Sequence, residues 1–145
     1  SKIMSLSNPT RKMSKSESDN GTIYLLDDIE ISKKKIMKAL TDSENKFYYD
    51  PENKPGLSNL INIYAALAGI TVDDVVNLFK DTENYGAFKR ALCELLEAEL
   101  VPIQQKVAEI KETKSYKEVL AEGAAFATEI ARKKLIDVYT KIGLI

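Results

Sequence analysis

The sequence predicts an all-α fold: a helical bundle of about five or six helices, preceded by a polar loop and a short severed strand. Three observations predict it. Apolar residues recur with helical spacing, most clearly at Leu57, Leu60, Ile61, Tyr64, Leu67 and Ala68. Ala, Leu, Ile, Lys and Glu are plentiful while aromatics make up only 8% of the chain, a composition that leans towards helix. Neither a Gly-rich strand–turn–helix nor a βαβ alternation is present.

Residues 1–7 include Ile3, Met4 and Leu6, which read as the end of a strand. Asn8-Pro9-Thr10 turns the chain, because proline fixes φ and asparagine readily starts a turn. Residues 10–21 are polar throughout and read as a loop, and residues 22–26 as an extended or buried connector. Asp27 or Asp28 can cap a helix over 28–40, and Asp27 has capping-box spacing to Glu30. Ile29, Ile36, Met37 and Leu40 fall on one side of it. Lys33, Lys34, Lys35 and Lys38 make the other side basic: a solvated face, with RNA contact as the alternative.

Pro51 and Pro55 break the loop 44–56, which Phe47-Tyr48-Tyr49 packs down. The Leu57 stripe gives the next helix, stopped by Gly69. Thr71 caps a short helix carrying Val72, Val75, Val76 and Phe79, and capping suffices to explain Asp73 and Asp74. A long helix over 84–112 buries Phe88, Leu92, Leu95, Leu96, Ile103, Val107 and Ile110; Pro102 inside it predicts a kink or break about one turn earlier. Ser115 and Glu118 have capping-box spacing for a last helical region running to Gly143, which Gly123 divides.

With 145 residues, the chain is long enough for one compact domain with a real core. A net charge of −1 argues against non-specific coating of nucleic acid and leaves room for a local basic patch. The absence of histidine excludes Ser-His-Asp triads and His-ligated metal sites within this chain, and no metal-ligand cluster is visible. The single cysteine, Cys93, sits among Leu92, Leu95 and Leu96 and reads as an inert buried thiol. No apolar run is long enough to cross a bilayer, and no secretory signal is visible. Together with the unpaired cysteine this predicts a cytoplasmic protein without membrane attachment.

One stretch carries chemistry. Lys12-Met13-Ser14-Lys15-Ser16 places two ammonium groups three residues apart with hydroxyls beside them, which suits a loop closing over polyphosphate. A Ser/Lys-rich linker has the same composition, and composition alone favours the linker.

These five residues resemble the second consensus motif of class I aminoacyl-tRNA synthetases. Around them stand Met4-Ser5-Leu6, Pro9-Thr10, Ile23-Tyr24-Leu25-Leu26-Asp27-Asp28, Lys34-Lys35-Ile36, Thr41-Asp42-Ser43, Lys54-Pro55-Gly56-Leu57-Ser58-Asn59-Leu60, Ile63-Tyr64, Tyr85-Gly86, Phe88-Lys89, Pro102-Ile103-Gln104 and Glu122-Gly123-Ala124. In that order, over essentially the whole chain, the set is similar to bacterial tryptophanyl-tRNA synthetases. The tyrosine enzymes are the nearer alternative within the class, and a non-enzymatic helical interaction domain is the alternative outside it.

The resemblance implies activation of tryptophan by ATP to the adenylate, with Mg²⁺ arriving on the nucleotide, then transfer to tRNA(Trp). It implies that Lys12 and Lys15 are catalytic and bind the ATP phosphates, that Ser14 and Ser16 add hydrogen bonds, and that Met13 anchors the loop. It places 1–24 at the end of a catalytic domain and 25–145 in a C-terminal anticodon-binding domain, the strand being a remnant of the missing Rossmann domain. Candidate tRNA contacts are Lys111, Lys114 and Lys117, and Arg132, Lys133 and Lys134. A homodimer is implied for the full-length enzyme, and no activity for this chain alone.

Overall fold

Helix α1 (Ile29–Met37) begins where Asp28 accepts a hydrogen bond from the Glu30 amide at 2.8 Å. Asp28, and not Asp27, is therefore the cap. Helix α2 (Pro55–Ala68) starts with proline in its first turn and ends at Gly69, whose φ of 66° is the left-handed conformation that glycine adopts freely. Helix α3 (Val72–Phe79) opens with a reciprocal capping box between Thr71 and Asp74. Helices α4 (Tyr85–Thr113) and α5 (Tyr116–Lys141) complete an all-α chain that also has one 3-10 turn, Asp19–Gly21. The computed structural model describes residues 2–16 and 19–145, the side chain of Asp19 excepted. Residue 1 of the expected strand and residues 17 and 18 of the expected loop lie outside the described residues.

The chain forms two compact units, Ser1–Gln104 and Gln105–Ile145. The core belongs to the first. Ile36, Leu57, Leu60, Ile61, Val75, Phe88 and Leu92 are almost wholly buried there. Phe47 closes it from the loop before α2, with its ring 4.8 Å from Phe88 and 5.7 Å from Phe79. In the second unit α5 buries no residue and exposes Leu120, Phe126 and Ile130.

The strand remnant is not present: among the described residues there is no β-strand, only an isolated antiparallel bridge between Met4 and Lys12. The Ser5 amide donates to Arg11 O and the Met13 amide to Ile3 O. The outer edge of that bridge meets a side chain where a third strand would lie. Buried Asn59 accepts from the Met4 amide and donates to the Met4 carbonyl, both at 2.8 Å. One amide side chain satisfies one residue, and the next outward-facing residue, Leu6, bonds the Gly21 carbonyl and the Leu40 amide, so no single third strand lines the edge.

Other differences have local causes. The helix continues through Pro102 without a break. Pro102 and Ala98, whose carbonyl loses its partner, both lie on the exposed side, where water can serve that carbonyl. Gly123 does not divide α5, and Ser115 makes no side-chain cap. The basic side of α1 is only partly solvated: Lys35 is buried, and Lys33 is paired with Glu30 and Glu97. Buried Lys89 caps the end of α1, donating to the Ala39 carbonyl at 2.7 Å, and burial pushes its pKa down.

Buried Lys54 ties down the loop before α2. It donates to Asp42 (2.9 Å), Glu44 (2.8 Å) and the Tyr85 hydroxyl (3.0 Å). Burial pushes this ammonium's pKa down, and the hydrogen bonds to Glu44, Tyr85 and Asp42 more than reverse the shift, leaving it raised. Burial raises the Asp42 carboxyl, but donation from Lys54 and Tyr85 holds it below the usual range. Hydrogen bonds from Lys54 and Lys46 bring Glu44 to about 2. Both carboxyls therefore bind protons more readily in the unfolded chain, where their pKa is about 4. Their contribution is complete above that value and drains away as pH falls towards 2, with Glu44's share screened by solvent. Thermal unfolding followed from pH 6 to pH 2 should show a falling midpoint. Lys54→Met, which removes the ammonium, should start lower and fall less steeply; parallel curves would refute the assignment.

Candidate functional site

The loop 12–16 is built on the Met4–Lys12 bridge. Asn8 makes the turn before it: its side-chain oxygen accepts from the Thr10 hydroxyl at 2.7 Å and its carbonyl from the Arg11 amide at 3.0 Å. Met13 packs against the core, while Lys12, Lys15 and Ser16 are exposed. The Ser14 and Ser16 hydroxyls lie 2.9 Å apart. Beyond the loop, the Thr22 hydroxyl donates to the Ser14 carbonyl at 2.9 Å and the Tyr24 hydroxyl to the Lys15 carbonyl at 3.4 Å. The backbone is thus held from behind and the two ammonium groups are left to solvent.

A concavity of about 810 Å³ opens beside the loop, lined by Lys2, Lys12, Met13, Ser14 and Lys15 on one side and residues 22–26 on the other. Among the described residues none of its three lysines has a carboxylate in ion-pair range. Contrast Lys33, Lys35 and Lys54, each neutralised by an acid. Unpaired cations around an open hollow can receive a polyanion with no bridge to break first. Lys2 was missed by sequence reasoning. Antiparallel pairing of Met4 with Lys12 places Lys2 opposite Ser14, but no residue in the short N-terminal stretch announced that pairing. Thr22 and Tyr24 did leave a signal, since residues two apart in an extended segment point the same way.

The second unit holds both other candidate groups. Lys111 lies in the last turn of α4, Lys114 has a φ of 57° between the helices, and Lys117 lies in the first turn of α5. All three are exposed and without an ion-pair partner among the described residues. The other group is partly neutralised: Lys133 pairs with Glu129 at 2.7 Å, and Lys134 lies 3.7 Å from Asp137. Arg132 and Lys133 line a shallow hollow of about 360 Å³ with Glu129 and Ile136.

Cys93 is buried, its Sγ 3.7 Å from the Lys33 carbonyl, and burial pushes the thiol's pKa up. Among the described residues no group of three or more Cys, Asp or Glu could hold a metal ion, and no single helix is long and apolar enough to cross a membrane.

A family profile described as tRNA synthetases class I (W and Y) matches residues 1–101. The chain belongs to this family of class I tRNA synthetases. The synthetase chain is 47% identical over 145 residues to tryptophan–tRNA ligase of Caldanaerobacter subterraneus subsp. tengcongensis, covering 99% of this chain and 44% of that ligase. It is 46% identical over 147 residues to the tryptophan–tRNA ligase of Corynebacterium glutamicum, covering 100% of this chain and 42% of the relative. It therefore spans less than half the length of these curated relatives. The crystal structure of tryptophanyl-tRNA synthetase from Campylobacter jejuni superposes with a TM-score of 0.77 at 30% identity, covering 99% of this synthetase chain and 44% of that one. The same enzyme in complex with ADP and tryptophan gives a TM-score of 0.76.

Proposed function

We propose that this chain is the C-terminal part of a tryptophan–tRNA ligase, supplying a phosphate-binding loop for amino-acid activation and helices for tRNA. One observation carries the reading: Lys12 and Lys15 stand around one hollow with no ion-pair partner among the described residues, on a loop whose backbone is tied down. In the proposed reaction the tryptophan carboxylate attacks the α-phosphate of ATP. The bond to the departing pyrophosphate breaks, and negative charge gathers on that leaving group. Lys12 and Lys15 meet this charge, with Ser14 and Ser16 donating hydrogen bonds; Mg²⁺ comes as part of the nucleotide substrate. The tryptophanyl group then passes to a 3′-terminal hydroxyl of tRNA(Trp).

On this reading residues 1–24 belong with the catalytic domain and residues 25–145 form the helical tRNA-binding domain of a cytoplasmic enzyme that is a homodimer at full length. Lys111, Lys114 and Lys117 are the stronger candidates for tRNA phosphates, because Lys133 and Lys134 already face acids. The chain alone is proposed to be inactive.

Two assays on the full-length protein test this. Tryptophan, and not tyrosine, should support ATP–pyrophosphate exchange. Changing Lys111, Lys114 and Lys117 together to Glu should leave exchange within about twofold and lower tRNA charging at least tenfold, with the largest loss at low salt. Exchange driven by tyrosine, or by the 145-residue chain alone, would overturn the catalytic assignment; undiminished charging would overturn the RNA assignment.

A further inference from the structure

The proposed loop chemistry uses Lys12 and Lys15, yet the cation most fully enclosed near the loop is Lys35. It projects from α1 with a side chain only 8% exposed. Its ammonium donates to the Thr22 carbonyl at 2.9 Å and to Asp27 at 3.0 Å, and it stands 5.0 Å from the centre of the Tyr24 ring. One charge thus grips the segment 22–27 near its start, its middle and its end. Gln104 of α4 fixes the same segment from the other side, donating to the Leu25 and Asp27 carbonyls at 2.9 Å each.

That segment is what holds the loop. Thr22 and Tyr24, the residues Lys35 touches, are the two whose hydroxyls hold the Ser14 and Lys15 carbonyls. The contacts form a relay from α1, through Lys35 and the connector, to the backbone that bears the phosphate-facing lysines. A buried ammonium is costly to enclose and does not belong in a mere spacer. Here each of its partners is either part of the loop's support or the acid that neutralises it.

We propose that Lys35 is a positioning residue for the phosphate-binding loop, setting the placement of Lys12 and Lys15 through Thr22 and Tyr24. The proposal rests on the reading of 12–16 as a phosphate-binding loop. It makes the loop's geometry depend on α1. Lys35 itself touches no substrate.

The test is a kinetic cycle in the full-length protein. Lys35→Met keeps the apolar stem and removes the charge. It should lower kcat for tryptophan-dependent ATP–pyrophosphate exchange about tenfold, since small misplacements of a charge-stabilising group are expensive in rate. The KM for tryptophan should stay within twofold, and Lys35→Arg should recover part of the loss. In a Lys12→Ala, Lys15→Ala background, Lys35→Met should cost less than about twofold more, because the groups it positions are gone. Thr22→Val, which removes only the hydroxyl link, should repeat the pattern and serves if Lys35→Met does not fold. Unchanged kcat, or a full additional loss in the lysine-free background, overturns the positioning role alone. If Lys12→Ala, Lys15→Ala itself leaves exchange untouched, the loop reading falls and the proposal with it.

Discussion

Replacing Lys12 and Lys15 together with alanine in the full-length protein should lower tryptophan-dependent ATP–pyrophosphate exchange about a thousandfold. Removing a single preorganised group aimed at developing charge commonly costs 10²- to 10³-fold in kcat, and two are lost here, acting on one leaving group. The loss belongs mainly to kcat. Both ammonium groups are exposed and, among the described residues, have no ion-pair partner, so in the ground state they exchange one set of partners, water, for another. When the pyrophosphate departs its charge rises, and the interaction strengthens only then. The KM for ATP should rise modestly and that for tryptophan hardly at all. Exchange kinetics measured over a grid of both substrates separates these terms. A change confined to the KM for ATP would mean that the lysines bind substrate and transition state alike, and would remove their catalytic role.

Gly56→Ala should be the most destabilising single-methyl change in the first unit. An added Cβ at this position would stand 2.0 Å from the Leu40 carbonyl oxygen and 3.0 Å from its carbon. Neither atom can swing aside as a side chain could. The Leu40 backbone is itself held, since its amide donates to the Leu6 carbonyl at 2.9 Å and the Lys89 cap lies beside it. Relief requires the start of α2 to move off the 40–41 segment, separating Leu57 and Leu60 from the core. We expect a loss of at least about 3 kcal/mol, the upper part of the range for overpacking and a large share of a domain's stability. Urea unfolding measures it. Gly123→Ala is the control, because its Cβ would meet nothing within 4 Å in the middle of α5. It should stabilise by a few tenths to about 1 kcal/mol. Equal effects at the two positions would rule out the clash.

The helices were legible where periodicity and capping agree. At α2, six apolar residues, an opening proline and a closing glycine speak together; at α3, Thr71 and Asp74 form the capping box that their sequence context supports. The failures share a cause. Alternation across Ile3, Met4 and Leu6 looks the same whether the edge is taken by a strand or by the side chain of Asn59, which lies 55 residues away in sequence. A run of lysines in α1 does not say which one is buried, because the acid and the carbonyl that receive Lys35 lie outside the helix. Spacing between Ser115 and Glu118 is compatible with a capping box, but Ser115 has helical φ and ψ of −57° and −25°, which turns its hydroxyl away from that task. Five adjacent letters disclosed the loop's two cations. The hollow they share, and the third lysine at its rim, arise from pairing across a turn and could not be read from order alone.

The grip of Asn59 on Met4 has a consequence for how the chain behaves in solution. An extended segment with a free row of amides and carbonyls is a template on which another chain can pair, and such edges seed aggregation. By occupying both hydrogen-bonding groups of Met4, a single buried carboxamide closes that edge from within the molecule. The foot of the loop is left with neighbours on both sides, and the contact that shapes it also keeps it from recruiting a second copy.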